Sequence, residues 1–234
     1  MRALLSILFS LILLPAFPQV STVYVSGQNM SDYFRMYASG NEDEEAKVYG
    51  SPYADDHWTV GTISFKETNS VVSDHLRLNA YSNELEIFNK GKKMAIIQPF
   101  KLKEARVGNR KYIYSFYLYY NGKNEYLSSS YFEVICEGRI ELLRRYYVAI
   151  VNNSYVSNYM GGGGDGRNHY TLKNEIFYRS GDNEAARKLP AKKKEILELM
   201  KDRENEIALF IKENKINFRT DFDLEKTLNY YNSL

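Results

Sequence analysis

From Val60 to Tyr178 the chain is a succession of short apolar or aromatic runs, broken by turn residues at roughly ten-residue intervals. The runs are Val60–Lys66, His75–Ala80, Glu84–Phe88, Lys92–Ile97, Tyr112–Tyr120, Glu125–Glu137, Arg139–Val151 and Tyr170–Tyr178. Between them stand Tyr81-Ser82-Asn83, Asn89-Lys90-Gly91, Asn121-Gly122 and Glu137-Gly138. Asn-Gly supplies the positive-φ residues of a tight hairpin, and connections that short join only antiparallel strands. The spacing therefore predicts an antiparallel β-meander, folded as a sandwich or a roll. Alternation assigns the faces. Phe132, Val134 and Cys136 share one face, with Glu133 and Glu137 on the other. In Tyr112–Tyr120 the sets Tyr112, Tyr114, Phe116, Leu118, Tyr120 and Ile113, Ser115, Tyr117, Tyr119 are both largely apolar. That strand is expected to be central, or covered on both sides.

After Pro190 the pattern changes to helical. Lys192–Met200, Arg203–Glu213 and Phe222–Asn232 are rich in Lys, Glu and Leu, with apolar residues at helical spacing. Asp202 is the expected cap of the second helix, and Thr220 with Asp223 resembles a capping box at the third. The fold class predicted is α+β: a β-domain over 49–180 and a helical appendage of about three helices over 181–234.

The N-terminus reads as an export signal. Met1-Arg2-Ala3 precedes the apolar run Leu4–Leu14, which stops at Pro15. That run of about a dozen residues falls short of the roughly 20 a membrane-spanning helix needs. Cleavage is expected between Ala16 and Ser21, beside Pro18 or Gln19, which makes 1–19 the signal and 20–48 a loose mature N-terminus. No later segment is apolar enough to span a membrane, so the mature protein is expected to be soluble, periplasmic or extracellular. Removing Arg2 takes the basic residues from 31 to 30 against 29 acidic ones, a formal charge of +1. So even a balance gives no general attraction to nucleic acid. One Cys excludes an intramolecular disulfide, and 21 Tyr favour half-buried strands.

The string Tyr49-Gly50-Ser51-Pro52-Tyr53, with Asp55-Asp56, Trp58 and Gly61-Thr62-Ile63, carries a resemblance. Leu76–Glu86, the Phe132–Leu143 hairpin and the ending Leu228-Asn229-Tyr230-Tyr231-Asn232 carry it further. Together they resemble uncharacterised exported proteins of Bacteroidetes-type bacteria, over roughly 48–234. The resemblance implies an envelope or secreted location and a β-rich body with a helical C-terminus. It implies no activity and transfers no functional residue.

Several segments offer chemistry. Gly161-Gly162-Gly163-Gly164-Asp165-Gly166 fits glycine-rich phosphate loops by spacing, but Arg167 and Asn168 stand where Lys and Ser/Thr are needed, and a strand follows rather than a helix. It reads as a surface loop. Asp56-His57 and Asp74-His75 are the residue types of a zinc site without its spacing, and no metal is expected. Cys136 reads as an inert core thiol. Glu84, Glu86, Glu133, Glu137 and Glu141 could supply a carboxylate pair for glycoside hydrolysis, but any charged β-protein offers such pairs. Arg187-Lys188 with Lys192-Lys193-Lys194 reads as a solvated linker, and Glu42–Glu45 as a solvated run without calcium-loop geometry. Tyr117, Tyr119, Tyr120 and Tyr126 are the candidate ligand-binding residues, because aromatic rings on a sheet stack on sugars or anchor a protein. The expectation is a non-enzymatic binding or structural protein with a protein or glycan partner and no cofactor. The alternatives are a glycan-binding module using those tyrosines and a hydrolase of envelope glycans.

Overall fold

The computed structural model describes residues 33–36, 48–67, 71–152, 167–181, 185–218 and 220–234. The export signal, the acidic run and the glycine run lie outside the described residues. The strands are β1 (Phe34–Met36), β2 (Thr59–Phe65), β3 (Val71–Asn79), β4 (Glu84–Asn89), β5 (Lys92–Ile96) and β6 (Leu102–Val107). They continue as β7 (Arg110–Asn121), β8 (Asn124–Cys136), β9 (Ile140–Asn152), β10 (Asn168–Ser180) and β11 (Ala186–Lys188). Three helices follow: α1 (Lys193–Glu198), α2 (Glu204–Asn214) and α3 (Asp221–Ser233). The protein is thus α+β with a dominant β-body, and no helix among the described residues is long and apolar enough to cross a membrane.

The strand order is β1-β5-β4-β3-β2-β6-β7-β11-β10-β9-β8, and β8 also pairs with β7. The last five strands therefore close on themselves. β7 is the branch point, bonded to β6, β8 and β11, which is why both its faces are apolar. Most pairings are antiparallel, but β11 lies parallel to β7 with Ala186 opposite Tyr117. Tight turns set the hairpins, but of the expected Asn-Gly pair Asn121 stays in the strand and only Gly122 takes a positive φ. The β4–β5 connection is Lys90-Gly91, both at positive φ (47° and 76°), and Gly122 turns β7 into β8 at φ 64°.

Three apolar cores divide the molecule. Tyr117, Phe132, Leu143, Phe177 and Ala186 fill the inside of the ring. Tyr117, Phe132 and Phe177 meet edge to face at 5.3–5.8 Å, the arrangement that aromatic quadrupoles prefer. The ring's outer side is covered twice. On one part the meander β1–β6 packs Ile63, Leu76, Leu85 and Ile87 against Tyr112 and Tyr131. On another the helices pack Ile196, Ile207, Leu224 and Leu228 against Cys136, Ile140 and Leu142. Tyr33 and Phe34, within the segment expected to be loose, are buried in the meander core.

Two side chains fix these layers to the ring. Pairing of β8 with β9 stops at Glu133–Arg144, and the β3–β4 turn sits beyond that point. Asn83, at φ 55°, accepts from Ser130 Oγ at 2.9 Å and from the Tyr131 N–H at 3.2 Å. The Ala80 carbonyl accepts from the Val148 N–H at 3.2 Å, so the turn satisfies backbone groups that the departing strands leave open. At the other end, Asn232 of α3 accepts from the Ile140 N–H at 3.1 Å. It also donates to the carbonyls of Glu137 and Ile140 at 3.0 and 2.9 Å.

The sequence expectations agree with the structure at one helix cap and differ from it in two details. Thr220 does cap α3, accepting from the Asp223 N–H at 3.2 Å. Asp202 does not cap α2; it accepts from Tyr231 Oη at 3.0 Å and pairs with Arg139 at 3.2 Å, tying α3 to the β8–β9 turn. Cys136 does not share a face with Phe132, because a bulge between Val134 and Cys136 shifts the register and turns the thiol toward the helices.

Candidate functional site

The inward face of the ring can be read by alternation from its buried members. Tyr117 places Ser115 and Tyr119 beside it on β7, Phe132 places Ser128 and Tyr126 on β8, and Leu143 places Arg145 and Tyr147 on β9. Phe177 does the same for Lys173 and Glu175 on β10, and Ala186 for Lys188 on β11. One end of this interior is closed by an ion pair. Arg179 Nε donates to Glu141 at 2.5 Å and its Nη1 to Ser115 Oγ at 3.0 Å, both charges being largely buried.

The other end is aromatic and open. Tyr119 and Tyr126 sit directly opposite across β7 and β8, stacked at 5.4 Å and 24°, and each is 42% exposed. Tyr119 touches Tyr117 at 6.1 Å, and the Arg145 guanidinium lies 4.8 Å from the Tyr117 ring and 5.1 Å from that of Tyr147. Arg145 Nη1 bonds Glu175 Oε2 at 3.2 Å, and Lys188 Nζ bonds its Oε1 at 2.7 Å. A continuous strip of rings thus ends in a fixed arginine–glutamate–lysine set.

The four predicted tyrosines separate accordingly. Tyr119 and Tyr126 form the open pair, while Tyr117 is 6% exposed and serves as the floor beneath them. Tyr120 is on the opposite face of the hairpin, where its hydroxyl donates to Glu125 at 2.5 Å, a bond that holds the phenol above its ordinary range. Sequence reasoning missed Arg145, Tyr147, Glu175 and Lys188. Their only signal is strand register, Arg145 standing opposite Glu175 and Phe177 opposite Lys188.

The remaining candidates do not assemble into a reactive centre. His57 bonds Asp55 rather than Asp56, Nδ1 to Oδ1 at 3.1 Å, beside a cavity of about 130 Å³ that also touches Arg110 and Tyr112. The His57 N–H bonds the same carboxylate and lowers its pKa. Asp56 is bonded instead to Ser51. The second pair, Asp74–His75 at 3.4 Å, lines a separate depression with Phe88 and Asn89. Among the described residues no group of three or more His, Cys, Asp or Glu side chains is placed to hold a metal ion. Burial pushes the Cys136 thiol up to about 11, which suppresses the thiolate that nucleophilic chemistry needs. Each of the five candidate glutamates, of which Glu137 lies in the β8–β9 turn rather than on a strand, is bonded to a cation: Glu84 to Arg35, Glu133 to Arg144, Glu137 to Lys111, Glu141 to Arg179. Glu86, fully buried, is held by Arg77 and Lys93 at 3.0 Å each, with Arg77 clamped between the rings of Tyr53 and Trp58. No family model, curated protein or solved structure matches the chain.

Proposed function

We propose that this chain is a non-enzymatic binding protein of the bacterial envelope or exterior, and that the open end of the ring takes a glycan. The observation that carries this reading is the stacked Tyr119–Tyr126 pair, standing in solvent above Tyr117 and running into Arg145, Glu175 and Lys188. Aromatic rings offer flat apolar faces to the C–H side of a sugar, and a few fixed polar groups at the edge of such a surface read its hydroxyls. Support for the location is the cationic start and short apolar run at the N-terminus.

Affinity electrophoresis through gels carrying neutral polysaccharides (xylan, mannan, β-glucan) and acidic ones tests the reading. Retardation is expected in at least one gel and is to be abolished in the Tyr119→Ala, Tyr126→Ala double variant. Truncating two central rings costs on the order of 2 kcal/mol or more, at least a thirtyfold loss of affinity. Migration unchanged in every gel, or retardation that the double variant keeps, overturns it.

A further inference from the structure

The charge at the ring mouth is one-sided. Among the inward-facing residues at this end, Arg145, Lys173 and Lys188 are cations and Glu175 is the carboxylate. Glu175 is already shared by Arg145 and Lys188, so one negative charge is spread over two positive ones. Lys173 is exposed and has no ion-pair partner among the described residues. Arg145 is fixed in place, its guanidinium steadied by the rings of Tyr117 and Tyr147 and bonded to Glu175. Lys188 stands opposite Phe177, so its backbone lies roughly 13 Å along the sheet from Lys173, while its ammonium reaches back to Glu175, two residues from Lys173. Positive charges spaced along an aromatic floor match a chain that carries negative charges at intervals.

We propose that the ligand of the ring mouth is an acidic polysaccharide, its carboxylates paired with Lys173 and Lys188 while its sugar faces stack on Tyr119 and Tyr126. The proposal rests on the reading of this surface as a glycan site and specifies which glycans it selects. Coulomb attraction at an exposed site is modest and screened by salt, so stacking supplies the base affinity and charge the selectivity.

The test is calorimetric titration of the full chain with polygalacturonate, alginate and hyaluronate, each against its carboxyl-reduced neutral counterpart, at low and at physiological ionic strength. At least one acidic polymer is expected to bind tenfold or more tightly than its neutral form, and the difference is expected to shrink with salt. In the Lys173→Gln variant the preference is expected to fall at least threefold while binding of the neutral form persists. Lys173 is exposed, so the variant leaves the cores and the Arg145–Glu175–Lys188 set untouched. Equal binding of acidic and neutral forms overturns the proposal and leaves the glycan reading standing. Binding of none of the three acids also overturns it, and the neutral gels then decide the glycan reading separately.

Discussion

At the level of single residues, burial decides which groups are chemically available. Burial pushes the Tyr112 phenol up to about 12, against a smaller lowering by its bond to Arg110, and the Cys136 thiol up to about 11. The ordinary values are 10.0 and 9.0, so both groups hold their protons more firmly folded than unfolded. The stability each contributes is complete below those ordinary values and is lost as pH rises through the folded ones. The fold is therefore expected to weaken progressively above about pH 9. Tyr112→Phe keeps the ring and removes the phenol, so it should flatten the part of the decline above pH 10, by roughly 2–3 kcal/mol at the top of the range. Denaturant midpoints of both proteins at pH 8 and pH 11.5 measure this. Parallel declines would show that Tyr112 does not carry it. Cys136 illustrates how far single residues were legible. Its burial followed from its neighbours, but its face did not, because a one-residue bulge leaves no mark in an alternating pattern.

At the level of elements, turn chemistry made most strands legible and short or irregular ones escaped. β6 buries Leu102 and Ala105 three positions apart, a helical spacing in a strand. The register shift at Ser64–Phe65 of its partner β2 accounts for that. β11 is Ala186-Arg187-Lys188, with one buried side chain and two charges, and nothing in that triplet signals a strand that closes a ring. The C-terminal Asn232 was legible only as part of a resemblance, and the structure supplies its physical role as the clamp on the β8–β9 turn. Gly138 in that turn has φ 144°, and a Cβ there would lie 2.4 Å from Asn232 Cγ, so the turn and the clamp fit one another. Asn232→Ala removes three hydrogen bonds and leaves part-buried backbone groups of the turn open. The expected cost is about 2–3 kcal/mol, read as a fall in the denaturant midpoint. A loss below about 0.5 kcal/mol would mean that water replaces the clamp and that α3 is held by its apolar face alone.

At the level of the whole molecule, the meander and the helices support a ring with one end sealed and the other open. The sealed end carries the Arg179–Glu141 pair and the open end carries the stacked tyrosines. The tyrosines were legible because aromatic residues on a strand are visible in one segment of sequence, although Tyr120 was grouped with the others across the two faces of β7. The charged part of the site was hidden, because Arg145 and Glu175 meet only through the register of β9 with β10. Arg144 connects this body to the helices, bonding Glu133 at 3.0 Å and Asp221 at the start of α3 at 2.7 Å. The ring mouth is thus a surface on a braced frame, and a ligand there should perturb it locally.

The most direct measurement is a map of backbone amide shifts in the labelled protein as a bound polysaccharide is added. The account predicts changes concentrated at Tyr117–Ser128, Arg145–Tyr147, Lys173–Glu175 and Lys188, with the helices and the cavity beside His57 silent. Changes centred on His57 and Arg110, or on α2 and α3, with Tyr119 and Tyr126 unmoved, would contradict it.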